Sequence, residues 1–227
     1  MKKYYAFFAV LGLLVACQGK NNPSDDEKPF QFGAVDLGLS VKWANANLGA
    51  VAPEGYGDYY AWGETDTKAN YSWETYRWCN GEFTKLTKYN TNSEYGTVDN
   101  KTVLETDDDV AHARLGGKWR IPTKREVDEL VSTWDNASYR WEWKSLNGHY
   151  GWHVTYLVNN NSIFLPAAGI RSGTELKNVG TYGFYWSSSL NIEESFYASF
   201  LSCTSSIVKC PNTCMRSGAL PIRPVSD

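Results

Sequence analysis

Short strand-like runs, separated by glycine and asparagine, recur along this chain. They lie at residues 34–44, 58–64, 152–158, 162–166, 183–187, 196–201 and 220–225. Aromatic and β-branched residues in such runs predict β-strands. Because helix signals do not alternate with them as parallel βαβ units require, the sequence predicts an α+β domain with antiparallel strands and two short helices.

The stronger helix signal is a capping box, in which Thr123 is followed three residues later by Glu126. Apolar residues then recur on one face of a helix: Val127, Leu130, Val131 and Trp134. A second helix is predicted over residues 106–115, with aspartates in its first turn and Arg114 in its last. Three successive aspartates lack the alternating ligands of a calcium loop, so we interpret them as capping residues.

Residues 65–102, called the irregular segment below, are polar and rich in Asn, Thr, Tyr and Gly. A stretch of this length without regular structure is unusual in a compact domain. We therefore expect a surface segment that could act as a lid over a site.

The N-terminal residues 1–16 have the layout of a secretory signal: Lys2 and Lys3 precede an apolar run that ends in small residues. The run is too short to span a bilayer. Its end, Leu-Val-Ala-Cys at residues 14–17, resembles the lipobox of bacterial lipoproteins, which implies that Cys17 is acylated and becomes the first mature residue. An ordinary signal peptide with a chance cysteine is the alternative.

Residues 17–31 carry almost no apolar side chains, so they are expected to form a flexible tether reaching about 20 Å. The acidic residues 25–27 resemble the export signal of lipoproteins on the outer face of some Gram-negative outer membranes, although a solvated linker would look the same. The expected location is the outer membrane, lipid-anchored at the cell surface. Residues 32–227 then fit one domain of ordinary size.

Charge and composition narrow the class of partner. A net charge of −3 argues against nucleic acid, which needs a basic face. Aromatic residues make up 15% of the chain, which favours a rigid core and a binding surface.

Six segments resemble, in order, the Fibrobacter succinogenes major paralogous domain: VDLGLSVKWA at 35–44, GDYYAWGE at 57–64, GKWRIPT at 117–123, IFLPAAG at 163–169, GFYWSS at 183–188 and IRPV at 222–225. The resemblance covers nearly the whole mature domain. It implies a C-type lectin-like fold, which is also used by formylglycine-generating enzymes and by hypervariable bacterial receptors. Fold alone does not give function.

An enzyme of the formylglycine-generating kind would use a reactive cysteine pair, and Cys210 and Cys214 are the near pair, with Cys203 upstream. No Ser–His–Asp arrangement stands out, and His149 and His153 lack a third metal-ligand signal. We therefore expect no catalytic residue, metal or cofactor. The pairing of Cys79, Cys203, Cys210 and Cys214 is open, since export permits disulfides and four cysteines allow three full pairings.

A calcium-dependent lectin is the second class. Sugar-binding members of the fold carry Glu-Pro-Asn or Gln-Pro-Asp plus Trp-Asn-Asp, and none of these occurs; residues 134–136 read Trp-Asp-Asn. Binding of carbohydrate by aromatic stacking stays open.

Display of a binding surface is the third and favoured class, because of the composition of residues 195–214. Randomising the adenines of Asn codons never yields Lys, Glu, Gln, Met or Trp, and within these residues Lys209 is the one exception, where average composition gives roughly four. The pattern resembles the variable region of receptors diversified by a retroelement, with Trp186 and Arg223 as fixed framework. A low-charge Ser/Thr-rich strand would show the same composition.

The predicted ligand, a protein or a glycan, is expected to bind a C-terminal strand and loop. In the strand 196–201, Phe196 and Phe200 are expected to face the core, and residues 209–213 are expected to form the loop. The candidate binding residues are Tyr197, Ser199, Ser202, Thr204, Ser206, Lys209, Asn212 and Thr213.

If Cys17 is acylated, the wild-type protein will partition into the detergent phase of a Triton X-114 extraction, and Cys17→Ala will accumulate as an uncleaved precursor. Equal partitioning of both proteins into water would contradict the lipoprotein interpretation.

Overall fold

The structure is a computed structural model that describes residues 30–227. The predicted signal, the acylation site Cys17 and the tether up to residue 29 lie outside the described residues. Phe32 is already part of the domain, because its ring lies 5.3 Å from that of Trp119.

Fourteen strands and two α-helices make up the regular structure of the described chain. The strands are β1 (Ala34–Val35), β2 (Lys42–Ala44), β3 (Tyr59–Ala61), β4 (Trp119–Arg120), β5 (Tyr139–Leu146), β6 (His149–Tyr156), β7 (Asn161–Pro166), β8 (Ile170–Ser172), β9 (Glu175–Lys177), β10 (Gly183–Leu190), β11 (Tyr197–Thr204), β12 (Ile207–Met215), β13 (Ala219–Pro221) and β14 (Val225–Ser226). The helices are α1 (Val110–Leu115) and α2 (Lys124–Ser132). Short 3-10 turns cover Trp73–Thr75, Ser93–Tyr95 and Thr106–Asp108.

The strands form four antiparallel sheets, in the orders β1-β2-β14-β4, β3-β13-β8-β9, β5-β6-β7 and β10-β11-β12. The two ends of the domain meet in the first of these, where Val225 lies opposite both Trp43 and Arg120. The predicted antiparallel architecture with two short helices is therefore confirmed.

Helix α2 begins as the capping box predicts. The Thr123 hydroxyl accepts from the Glu126 backbone N–H, and the Glu126 carboxylate accepts from the Thr123 N–H at 2.7 Å. Val127 and Leu130 are buried, whereas Val131 and Trp134 are partly buried at the margin of the same core.

Helix α1 is shorter than the predicted 106–115. Asp109 has an extended backbone, and its carboxylate accepts from the N–H groups of Ala111 and His112, so the helix starts after it. The preceding residues form the 3-10 turn instead. Of the three aspartates, Asp109 therefore acts as a cap, as expected, whereas Asp108 pairs with Lys88.

Two cores lie on opposite faces of the β10-β11-β12 sheet. One face contributes Tyr185, Leu201 and Cys203, which pack with Val127 and Leu130 of α2. The other face contributes Trp186, Ala198 and Phe200, which pack in a cluster with other buried residues, among them Trp62, Tyr89 and Leu220. Because both faces are covered in its middle, this sheet organises the whole domain.

The irregular segment contains no strand, as predicted, but it is not a lid. Its side chains Tyr71, Tyr76, Leu86 and Tyr89 are buried in the cores. Burial of this kind ties a loop to the domain rather than leaving it free to open. Among the described residues, no helix has both the length and the apolar character needed to cross a bilayer.

Removing the cap and the core anchor of α2 should destabilise the protein to different degrees. Thr123→Ala is expected to lower the free energy of unfolding by about 1 kcal/mol. Leu130→Ala leaves a cavity in a fully buried site and should cost roughly 2 to 5 kcal/mol. Urea denaturation measures both; a Leu130→Ala effect smaller than that of Thr123→Ala would contradict the assigned packing.

Candidate functional site

The candidate binding residues lie on the hairpin formed by β11 and β12, which turns at Ser205 and Ser206. Two predictions need correction. The first strand runs Tyr197–Thr204 instead of 196–201, and residues 209–213, predicted as a loop, belong to β12. Both strands are longer than predicted because their pairing continues up to Thr204 and Ile207, next to the turn.

A bulge in β12 places two of the predicted residues on one face. Asn212 lies opposite Phe200 and Lys209 lies opposite Ser202, so β12 carries one extra residue between these pairs. In a regular strand, residues three apart point to opposite faces. The extra residue brings Lys209 and Asn212 to the same side, and Pro211, which has no N–H to donate, falls within the bulge, where proline is tolerated.

We call the resulting surface the tail face: Phe184, Ser202, Thr204, Lys209 and Asn212. Ser202 is its centre, opposite Phe184 on β10 and Lys209 on β12. The Asn212 amide donates to the Ser202 hydroxyl at 2.5 Å. Lys209 is exposed, and the other four are partly exposed. Ser206 is exposed in the adjoining turn.

Ser199 does not face outward as expected. It is buried, at 4% exposure, on the side of β11 opposite the tail face. Its carbonyl accepts from the Ser187 hydroxyl at 2.9 Å, inside the domain. The expected outward orientation fails because β11 is the central strand of a sheet whose two faces are both covered near this position.

Tyr197 and Thr213 also lie off the tail face. Thr213 pairs with Ser199 and is exposed at the edge strand. Tyr197 is partly exposed, and its ring lies 4.4 Å from that of Phe196. Phe196, which was expected to face the core, is only partly buried because it precedes β11. The structure therefore separates Tyr197, Thr213 and the buried Ser199 from the tail face.

A small pocket of about 260 Å³ opens beside the tail face. It is lined by Ile170, Asn178, Phe184, Phe200, Thr213, Cys214 and Leu220. The Phe184 ring stacks on exposed Tyr182 at 5.3 Å and meets Phe200 edge-on at 5.5 Å. The sequence analysis did not identify Tyr182 and Phe184 as site residues. The available signal was that Phe184 and Tyr185, as neighbours in a strand, point to opposite faces of the sheet.

Larger open space lies at the start of α2, in a groove of about 960 Å³ lined by charged side chains. Four of its charged side chains form ion pairs: Arg120 with Glu126 at 2.6 Å and Lys124 with Asp128 at 2.7 Å. Because the charges within each pair neutralise one another, none of these four side chains is free to attract a charged ligand.

The cysteines of the described chain are free thiols: Cys79, Cys203, Cys210 and Cys214. Burial raises the pKa of Cys203 to about 12 and that of Cys214 to about 11. Burial and the neighbouring Asp128 raise the pKa of Cys210 well above its usual range. A reactive cysteine needs the opposite shift.

His149 and His153 both belong to β6 and share a face, since a strand has a period of two. Four residues of strand separate them by roughly 13 Å, too far for one metal ion. Within residues 30–227, no cluster of three or more His, Cys, Asp or Glu side chains could hold a metal.

Comparison of the chain with family models, with curated proteins and with solved structures finds no match.

Proposed function

We propose that this protein is a lipid-anchored binding protein of the outer cell surface, with a C-type lectin-like domain of the Fibrobacter major paralogous type, and that its tail face recognises a protein or glycan. No enzyme activity, metal or cofactor is part of the proposal. The observation that carries it is the tail face itself, where short polar side chains and Lys209 flank the partly exposed ring of Phe184.

The fold supports the lectin-like assignment in two ways. The second and last strands of the domain, β2 and β14, pair side by side at Trp43 and Val225, so the two ends of the domain lie in one sheet. The β11–β12 hairpin lies at the edge of its own sheet, and its edge strand β12 has exposed side chains. A domain tethered at its N-terminus can then present the hairpin to a partner.

The composition of the tail face suits recognition. Ser and Asn side chains supply adaptable hydrogen bonds, and aromatic rings supply contact area at low entropic cost. The pocket beside Phe184 adds an apolar recess for one side chain or one sugar face.

The alternatives have less support. A cysteine oxidase needs a thiolate, but burial raises the pKa values of Cys203 and Cys214. A carbohydrate-binding module stays an outcome of the binding experiment, since Tyr182 and Phe184 offer a stacked pair of rings.

Diversification by a retroelement is a second candidate, favoured by the restricted alphabet of residues 195–214. The residues expected to stay fixed, Trp186 and Arg223, are fully buried. Variation would be tolerated at Ser202 and Asn212, which lie at the surface, and excluded at Leu201, which is core.

The tail face can be tested by replacing Ser202, Lys209 and Asn212 together with alanine. Because both partners of the Ser202–Asn212 hydrogen bond are removed together, no polar group is left without its partner. The free energy of unfolding should therefore change by about 0.5 kcal/mol or less per site. Affinity for the glycan or surface protein that wild-type protein captures, measured by interferometry, should fall at least about tenfold, or about 1.4 kcal/mol.

The matched control replaces Arg140, Lys144 and Ser145, which are exposed on β5. It should bind as the wild type does. Unchanged binding by the tail-face variant, or equal loss in the control, would show that the site lies elsewhere.

Diversification makes a separate prediction about the genome. A near-identical repeat, with adenines at the divergent positions of the codons for residues 195–214, should lie near the gene and beside a reverse transcriptase. Long-read sequencing of the locus checks this, and a locus without such a repeat would end the diversification proposal without affecting the binding proposal.

A further inference from the structure

A second surface lies where the irregular segment meets the start of β11. Five aromatic rings form it, and we call it the aromatic patch: Trp73, Phe83, Tyr95, Phe196 and Tyr197. Neighbouring ring centroids are 4.4 to 6.3 Å apart, with Phe196 touching Phe83, Tyr95 and Tyr197. Phe83 is 42% exposed, and the other four rings are partly exposed. Contiguous exposed rings of this kind mark interaction sites.

The backbone under the rings is held in place by hydrogen bonds. The Cys79 thiol donates to the Trp73 carbonyl at 3.1 Å. The Leu86 N–H donates to the Tyr95 carbonyl at 2.7 Å, and the Arg216 N–H donates to the Phe196 carbonyl at 3.1 Å. A partner would therefore meet a surface that is already ordered, which lowers the entropic cost of binding.

Acidic residues accompany the rings along the chain. Glu74 follows Trp73, Glu82 precedes Phe83, and Glu94 precedes Tyr95. Glu193 and Glu194 stand just before Phe196, and all five glutamates are exposed. Lys85 pairs with Glu82 at 3.0 Å and so offsets one of the five charges. The other four form no ion pair among the described residues, so exposed negative charge adjoins the rings along the chain.

We infer that the aromatic patch docks a lysine- or arginine-rich segment of a partner protein. A cation is attracted both to the face of an aromatic ring and to nearby carboxylates. The patch offers both ring faces and carboxylates on a fixed backbone. A neutral or acidic partner would gain neither of these electrostatic attractions. The inference stands apart from the tail face, with which it shares no residue.

The inference is tested with a fluorescein-labelled twelve-residue peptide of alternating lysine and serine, and with its glutamate counterpart. Full-length protein in detergent should raise the anisotropy of the lysine peptide only, and added salt should weaken the binding. Reversing three of the glutamate charges with Glu94→Lys, Glu193→Lys and Glu194→Lys should weaken it by about tenfold. Phe83→Ala should weaken it by about threefold, whereas Phe83→Tyr, which keeps the ring, should restore it.

The control reverses three exposed carboxylates outside the patch, with Asp107→Lys, Asp135→Lys and Glu175→Lys. It should leave binding within about twofold of wild type. Equal loss in this control would mean attraction by net charge alone and would overturn the inference. Unchanged binding by Phe83→Ala, no binding of the lysine peptide by the wild type, or binding of cellohexaose at the patch in its place would overturn it as well.

Discussion

The guanidinium of Arg216 is the group on which the irregular half of the molecule depends. It is fully buried. Its Nε donates to the Tyr76 hydroxyl at 2.9 Å, and its terminal nitrogens donate to the carbonyls of Lys88, Tyr89 and Ser195. Among the described residues no carboxylate pairs with it, so carbonyl oxygens and the ring of Trp62, 4.9 Å away, supply the negative potential. The irregular segment is thereby fixed to the C-terminal part of the chain. Loss of the Arg216 guanidinium would leave several buried polar groups without a hydrogen-bond partner.

Arg223 plays the same part in the regular half. Its donors reach the Asn47 side chain and the carbonyls of Ala44 and Phe164, at 2.6 to 3.0 Å. Burial lowers its pKa to about 10, so the group remains charged at neutral pH. Arg223 thus connects three parts of the chain: the end of β2 with the residues that follow it, strand β7, and the segment that leads into β14. Residues 216–225, which follow β12, are buried, whereas many side chains of the β11–β12 hairpin are exposed or partly exposed.

Sequence reasoning succeeded where the signal is local and failed where tertiary contacts decide. The Thr123–Glu126 capping box involves neighbours along one helix, so α2 was predicted with its buried face. Strand β12 was missed because its bulge and Pro211 interrupt the alternation that marks a strand. Ser199 was placed outside because alternation distinguishes two faces without showing that both are covered. The aromatic patch joins residues over a hundred positions apart, such as Phe83 and Phe196, which no local pattern can bring together.

The tail face and the aromatic patch are held in place by different parts of the fold. The tail face depends on strand register, in which Ser202 and Asn212 touch each other and little of the core. Three rings of the aromatic patch, Trp73, Phe83 and Tyr95, belong to the irregular segment, whose backbone Arg216 holds at Lys88 and Tyr89. Exposed side chains of a paired strand can change with little effect on stability, whereas Tyr76 and Tyr89, which are buried against the Arg216 guanidinium, cannot change freely. Under the two proposals, the tail face can therefore vary with its ligand while the buried contacts of the irregular segment stay the same.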